Sequence, residues 1–126
     1  MMFINIDFRD KRPLYEQVCD KIEELILRGV IEPDEALPSV RSLAVELSIN
    51  PNTVQKAYAL LESRGLTYSA PGRGSFAAGA PELLPKKREE IAGEIALLLE
   101  KAEKFGITKE ELIEIIKQKE GGKRDA

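Results

Sequence analysis

Histidine is absent from the 126 residues, and cysteine occurs once, at Cys19. The first absence removes the commonest metal ligand and general base, and a lone cysteine closes no internal disulfide. A phosphate-binding glycine fingerprint is missing too. Gly72-Arg73-Gly74 has neither a P-loop lysine nor a following helix. Carboxylate pairs such as Glu89-Glu90 and Glu110-Glu111 stand beside lysines on helix-favouring stretches, as solvated faces do. Enzymatic chemistry is therefore not expected, nor is a metal or another cofactor. No window approaches the roughly 18 consecutive apolar residues of a membrane span. The opening MMFINIDFRDKR meets charge too early for a secretory signal. With Cys19 read as core filler on the flank of an apolar helix face, the chain is expected in the cytoplasm.

Positive charge is also scarce. The net charge is −3 and the pI near 5.2, which argues at first against a nucleic-acid partner. The distribution says otherwise. Between positions 38 and 78 the bases are Arg41, Lys56, Arg64 and Arg73, against only Glu46 and Glu62. A modest positive face of this kind can bind DNA with few phosphate contacts per protomer, so two protomers would be needed.

What the chain does have is a pair of short amphipathic helices in LPSVRSLAVELSINPNTVQKAYALLESRG, positions 37 to 65. Val40, Leu43, Ala44 and Leu47 lie on one helix face, and Val54, Ala57, Tyr58 and Leu61 repeat that spacing. Between them Ser48-Ile49-Asn50-Pro51 reads as a stop and a restart, with Asn50 as N-cap and Pro51 in the first helical position. Asn52, Thr53, Gln55, Lys56 and Ala59 then point outward, mostly near the helix start. A helix with short amide, hydroxyl and cationic groups there suits a major groove. An ordinary helical hairpin with a polar face remains the plain alternative.

Gly65 ends the second helix, and two short runs, LTYSA and SFAA, flank the turn Pro71-Gly72-Arg73-Gly74. That pattern predicts a β-hairpin, and a hairpin directly after a helix-turn-helix is a wing. An arginine between two glycines at its tip can approach a phosphate or enter a narrow minor groove.

From Pro13 to Ala78 the motifs PLYEQV, LPSVRSLA, NPNTVQKAY, LESRGL and PGRGSF follow in order. In that order and spacing, this half of the chain resembles the winged helix-turn-helix of GntR-type bacterial transcriptional regulators. The short helical remainder resembles the YtrA-type subgroup. The resemblance implies that Arg41 is the DNA-contacting arginine of an LPSxR motif. It also implies that Asn52, Thr53, Gln55 and Lys56 are outward recognition positions, and that Gly72 and Arg73 form the wing tip. Ser39 is first a helix cap, with a DNA contact also possible in that position. Some relatives carry arginine where Pro51 and Gln55 stand here, so positions transfer and base preference does not.

Upstream, Ile4, Ile6 and Phe8 alternate with polar residues, which predicts a short strand or extended arm with one buried side. Pro13 opens a backing helix with the core stripe Leu14, Val18, Ile22 and Leu25, flanked by Tyr15, Cys19 and Ile26 and ended by Gly29. Glu32 to Glu35 reads as a turn. Downstream, Gly79-Ala80-Pro81 and Pro85 break the pattern. From 86 to 105 the positions Ile91, Ile95, Leu98, Ala102 and Phe105 step by four, three, four and three, and Leu99 widens the arc. Gly106 stops that helix. Thr108 and Glu111 form a capping box for a last helix over 109 to 119, presenting Leu112 and Ile116.

The expected architecture is mainly α with a small β-wing: a winged helix-turn-helix over 1–80, a C-terminal αα-hairpin over 81–120 for dimerisation, and a disordered tail over 121–126. The hairpin's wide apolar surface must be covered, either by its own winged helix or by a second copy. A homodimer is the economical answer, and the resemblance implies it. The expected function is a transcriptional regulator, a repressor by preference, bound to a palindromic double-stranded DNA operator. The competing class is a winged helix that binds protein, which the polar helix start and basic wing tip disfavour.

Overall fold

The computed structural model describes residues 4–124 and orders the elements as three helices, a two-stranded hairpin and two further helices. They are α1 (Leu14–Leu27), α2 (Val40–Leu47), α3 (Pro51–Ser63), β1 (Thr67–Ala70), β2 (Gly74–Ala77), α4 (Ala80–Lys104) and α5 (Lys109–Arg124). This is the expected fold class. The chain divides into two compact units between Pro85 and Lys86.

In the first unit, α3 packs on α1 and α2, and β1 lies against α3. The core is built from Val18, Cys19, Ile22 and Ile26 of α1, Leu43 and Ala44 of α2, and Val54, Ala57, Tyr58 and Leu61 of α3. Leu14 and Leu25 are only half-buried, so the buried stripe of α1 is rotated toward Cys19 and Ile26. Gln17 is buried, and its amide takes the Asp7 N–H at 3.0 Å and donates to the carbonyls of Asp7 and Arg12 at 3.1 and 3.2 Å. These bonds dock residues 7–12 on α1. The arm itself forms no strand among the described residues: Ile4 is buried and Ile6 half-buried, but Phe8 lies exposed. Residues 1–3 lie outside the described residues. Burial pushes the Cys19 thiol up to about 11, as suits a packed sulfur and not a reactive one.

The helix starts follow their sequence signals. Ser39 caps α2 by accepting from the Ser42 N–H at 3.1 Å, and Asn50 caps α3 by accepting from Asn52 N–H at 2.8 Å. Ser48 closes α2 in the left-handed conformation, φ 56°, which lets the chain turn into Ile49 and the α3 cap.

The wing pairs Thr67 with Ala77, Tyr68 with Phe76, Ser69 with Ser75 and Ala70 with Gly74, antiparallel. The expected turn over 32–35 does more than turn. Beyond it, Ala36 bridges Phe76, the Leu37 N–H donates to the Ser75 carbonyl, and the Ala77 N–H donates to the Glu35 carbonyl. Asp34, at φ 65°, accepts from the Tyr68 hydroxyl at 2.6 Å. The stretch between α1 and α2 thus covers the outer edge of β2 and ties the wing down.

In the second part of the chain α4 starts at Ala80, six residues earlier than expected, with Pro81 in its first turn and Pro85 inside the helix. A first-turn proline costs no hydrogen bond. The capping box forms: Thr108 Oγ1 accepts from the Glu111 N–H and the Glu111 carboxylate accepts from the Thr108 N–H, both at 3.2 Å. α5 continues to Arg124, so 121–124, expected as part of a disordered tail, extend the helix. Residues 125 and 126 lie outside the described residues.

Candidate nucleic-acid interface

The outward surface of α3 carries Asn52, Gln55, Lys56 and Ala59, all exposed, with Thr53 half-buried beside them. Its inward side is fixed from two directions. The apolar side chains of α3 sit in the core, and the Tyr58 hydroxyl donates to the Pro38 carbonyl at 2.7 Å, just ahead of α2. Burial, with Glu46 second, pushes the Tyr58 phenol well above its ordinary range, so it stays a donor. The bond sets α3 against the start of α2, where Arg41 is exposed. Ser39 Oγ accepts the cap bond, which leaves its O–H free to donate in any further contact.

At the wing, Gly72 has φ 75° and Gly74 φ 109°. Only glycine adopts such angles cheaply, so the tip holds Arg73 out with its N–H bonded to the Ala70 carbonyl at 2.9 Å. Ser69 donates to the Glu62 carboxylate at 2.5 Å, joining the wing to the end of α3. Among the described residues neither Arg41 nor Arg73 enters an ion pair. Arg64 does. It bonds Asp20 and Glu23 of α1 at 3.2 Å each, and Arg12 joins Asp20 from the other side at 2.6 Å. Arg64, counted by sequence with the positive face, therefore belongs to the scaffold.

The arrangement is a helix-turn-helix with a wing, and residues 14–77 match the family model described as bacterial regulatory proteins, gntR family. The chain belongs to the GntR family. It is 38% identical over 128 residues to the HTH-type transcriptional repressor YtrA of Bacillus subtilis, covering 97% of this chain and 98% of that one. Among solved structures it is similar to a GntR family transcriptional regulator from Listeria monocytogenes, with TM-score 0.72, 33% identity, and 88% and 98% of the two chains covered. The DNA-binding domain of AraR in complex with operator ORX1 is similar at TM-score 0.55 and 31% identity, over 62% of this chain and all of that one. These relatives are transcription regulators of the winged-helix type and not enzymes, and the YtrA-type resemblance extends along almost the whole chain.

Within this family frame the first unit leaves Arg41 of α2 and Asn52, Gln55 and Lys56 of α3 exposed, with Arg73 at the tip of the wing. In the second unit Ile91, Ile95, Leu98, Leu99, Phe105 and Ile116 are exposed. Ala102, expected on the same docking face, is already buried within its own chain, and Leu112 is half-buried. Among the described residues no acidic cluster could hold a metal ion, and no helix is long and apolar enough to cross a membrane. Sequence reasoning missed the burial of Gln17 and the stacking of Lys56 Nζ over the Tyr15 ring, 4.8 Å from its centroid. A glutamine two residues past Tyr15 in PLYEQV carries no periodic signal, because a polar side chain in an apolar stripe looks the same exposed or buried.

Proposed function

We propose that this regulator is a repressor that binds a palindromic operator as a homodimer in the cytoplasm. The first unit acts as the DNA-binding head, and α4 and α5 as the dimerisation hairpin. The observation that carries the reading is the run of exposed hydrogen-bonding and cationic side chains on α3, together with Arg41 on α2 and Arg73 on the wing, neither of which enters an ion pair among the described residues. Such a helix, about 10–12 Å across, fills a major groove about 12 Å wide. Arg41 can pair with guanine and Gln55 with adenine, while Arg73 contacts the backbone or a narrow minor groove. The exposed apolar line of Ile91, Ile95, Leu98 and Phe105 supplies the surface for the second copy.

Binding titrations on DNA from the region upstream of the protein's own gene test this, with a mixed-sequence duplex as control. The wild-type chain is expected to prefer the upstream fragment by roughly 10³-fold or more at physiological salt. Gln55→Ala should relax preference at one symmetric pair of positions and leave the salt slope unchanged, a loss of about 1–3 kcal/mol of discrimination. Arg73→Ala should weaken both duplexes alike and lower the slope by about one per protomer. Equal, weak binding of every duplex by the wild-type chain would replace the operator reading with that of a protein-binding winged helix.

A further inference from the structure

Lys56 has a neighbour on α1. Its Nζ lies 4.8 Å from the centroid of the Tyr15 ring, a cation–π distance. Tyr15 stands in the first turn of α1, half-buried against the core, so the ring is a fixed platform and the lysine is the mobile partner. At about 3.6 residues per turn, Gln55 and Lys56 fall on opposite flanks of the outward line drawn by Asn52 and Ala59. The Gln55 flank also carries Glu62, which binds Ser69 of the wing, and adjoins Tyr58, which binds Pro38 ahead of α2. The Lys56 flank faces α1. Gln17, two residues after Tyr15, holds the loop over 7–12 in place, so exposed Lys11 emerges at this same end of α1.

A helix filling the major groove turns its two flanks toward the two sugar–phosphate strands that border it. We propose that Tyr15 is a positioning residue whose ring holds Lys56 against one bordering strand, away from the base edges. Lys56 is thereby a backbone anchor and not a reader of sequence. This rests on the DNA-binding reading above, and it divides the α3 surface into a reading flank at Gln55 and an anchoring flank at Lys56. The ring restricts the lysine before DNA arrives, so less side-chain freedom is lost on binding.

Two measurements on the full chain test it. In the free protein, the Lys56 ε-methylene protons should be shifted upfield by the ring in the wild type and in Tyr15→Phe, and not in Tyr15→Leu. On a mixed-sequence duplex of about 30 bp, Lys56→Ala should weaken binding by about three- to tenfold and lower the salt slope by about one per protomer. Tyr15→Leu should go most of that way although it removes no charge, and the double variant should be no weaker than Lys56→Ala alone. Tyr15→Phe, which keeps the ring, should restore binding to within about twofold. Additive losses would overturn the proposal, as would Tyr15→Phe binding as poorly as Tyr15→Leu, since the hydroxyl would then be the contact. A change in sequence preference with an unchanged slope would overturn it too. A wild-type chain that binds no duplex would sink the DNA-binding reading itself, and a surviving ring shift would then mark the contact as purely structural.

Discussion

Ile22→Ala is expected to lower the unfolding free energy of the first unit by roughly 2–5 kcal/mol, a large part of what a domain of this size has. Ile22 is fully buried on α1, the helix against which α3 packs. Removing its outer carbons forfeits their transfer energy and leaves a cavity, because Val18, Cys19 and Ile26 on the same helix, and Leu61 on α3, are equally enclosed. Interiors this close-packed relax only in part. The consequence for function follows from position, since α1 is what holds the outward face of α3 in place. Urea titration followed by circular dichroism, at one fixed protein concentration, measures it. The midpoint should fall with an unchanged slope against denaturant. Val45→Ala is the control: Val45 is 75% exposed on α2, and its loss should stay within about 0.5 kcal/mol. Equal midpoints for the two variants would mean that the α1–α3 contact is not the core of this unit.

The contrast between Ile22 and Val45 also shows what periodicity reveals. Leu43, Ala44, Val54, Ala57, Tyr58 and Leu61 were legible as buried because each helix touches one core, and one core imposes one stripe. Caps were legible for a local reason: Asn50, Thr108 and Glu111 satisfy backbone groups within three residues of themselves. Long-range polar contacts were not. Gln17 reaching Asp7, Arg64 reaching Asp20 and Tyr68 reaching Asp34 join residues whose separation in sequence carries no period. Two of these corrected the candidate site, by removing Arg64 from its charge and by pinning the arm beside Tyr15. The early start of α4 was hidden by Pro81 and Pro85. Proline is a breaker in most positions; Pro81 is tolerated because it stands in the first turn, whereas Pro85 lies inside the helix and forgoes a backbone hydrogen bond, and composition does not show which position each holds.

Leu98→Glu is expected to separate the proposed dimer and to weaken operator binding by about 10²–10⁴-fold. Ile91, Ile95, Leu98, Ala102 and Phe105 repeat at the four-three spacing of a helix that runs along a partner helix. Ala102 is the member already buried, whereas Leu98, in the middle of the line, is 60% exposed and Phe105 73%. A row of large apolar side chains left in water along about four turns has a cost that a second copy removes by supplying the same row. A glutamate at the central position would have to be buried without a partner in that interface, which is far more costly than losing one leucine. Within a single chain the change touches little, because Leu98 is mostly exposed there. The head should therefore keep its fold and its urea midpoint when compared with wild type at concentrations where both are monomeric. What it loses is the second head. Two linked heads engage two half-sites with the second contact made intramolecular, so a lone head forfeits that avidity and about half the salt slope. It also loses sensitivity to half-site spacing, which for a two-fold protein follows the duplex repeat of about 10 bp. Sedimentation of wild type and Leu98→Glu, beside titrations of both on the upstream fragment, gives the outcome. A wild-type chain that sediments as a monomer while binding with a dimer's salt slope would take the docking role away from this hairpin. So would a Leu98→Glu chain that remains a dimer, because no charge can stand unpaired at the centre of the seam proposed for it.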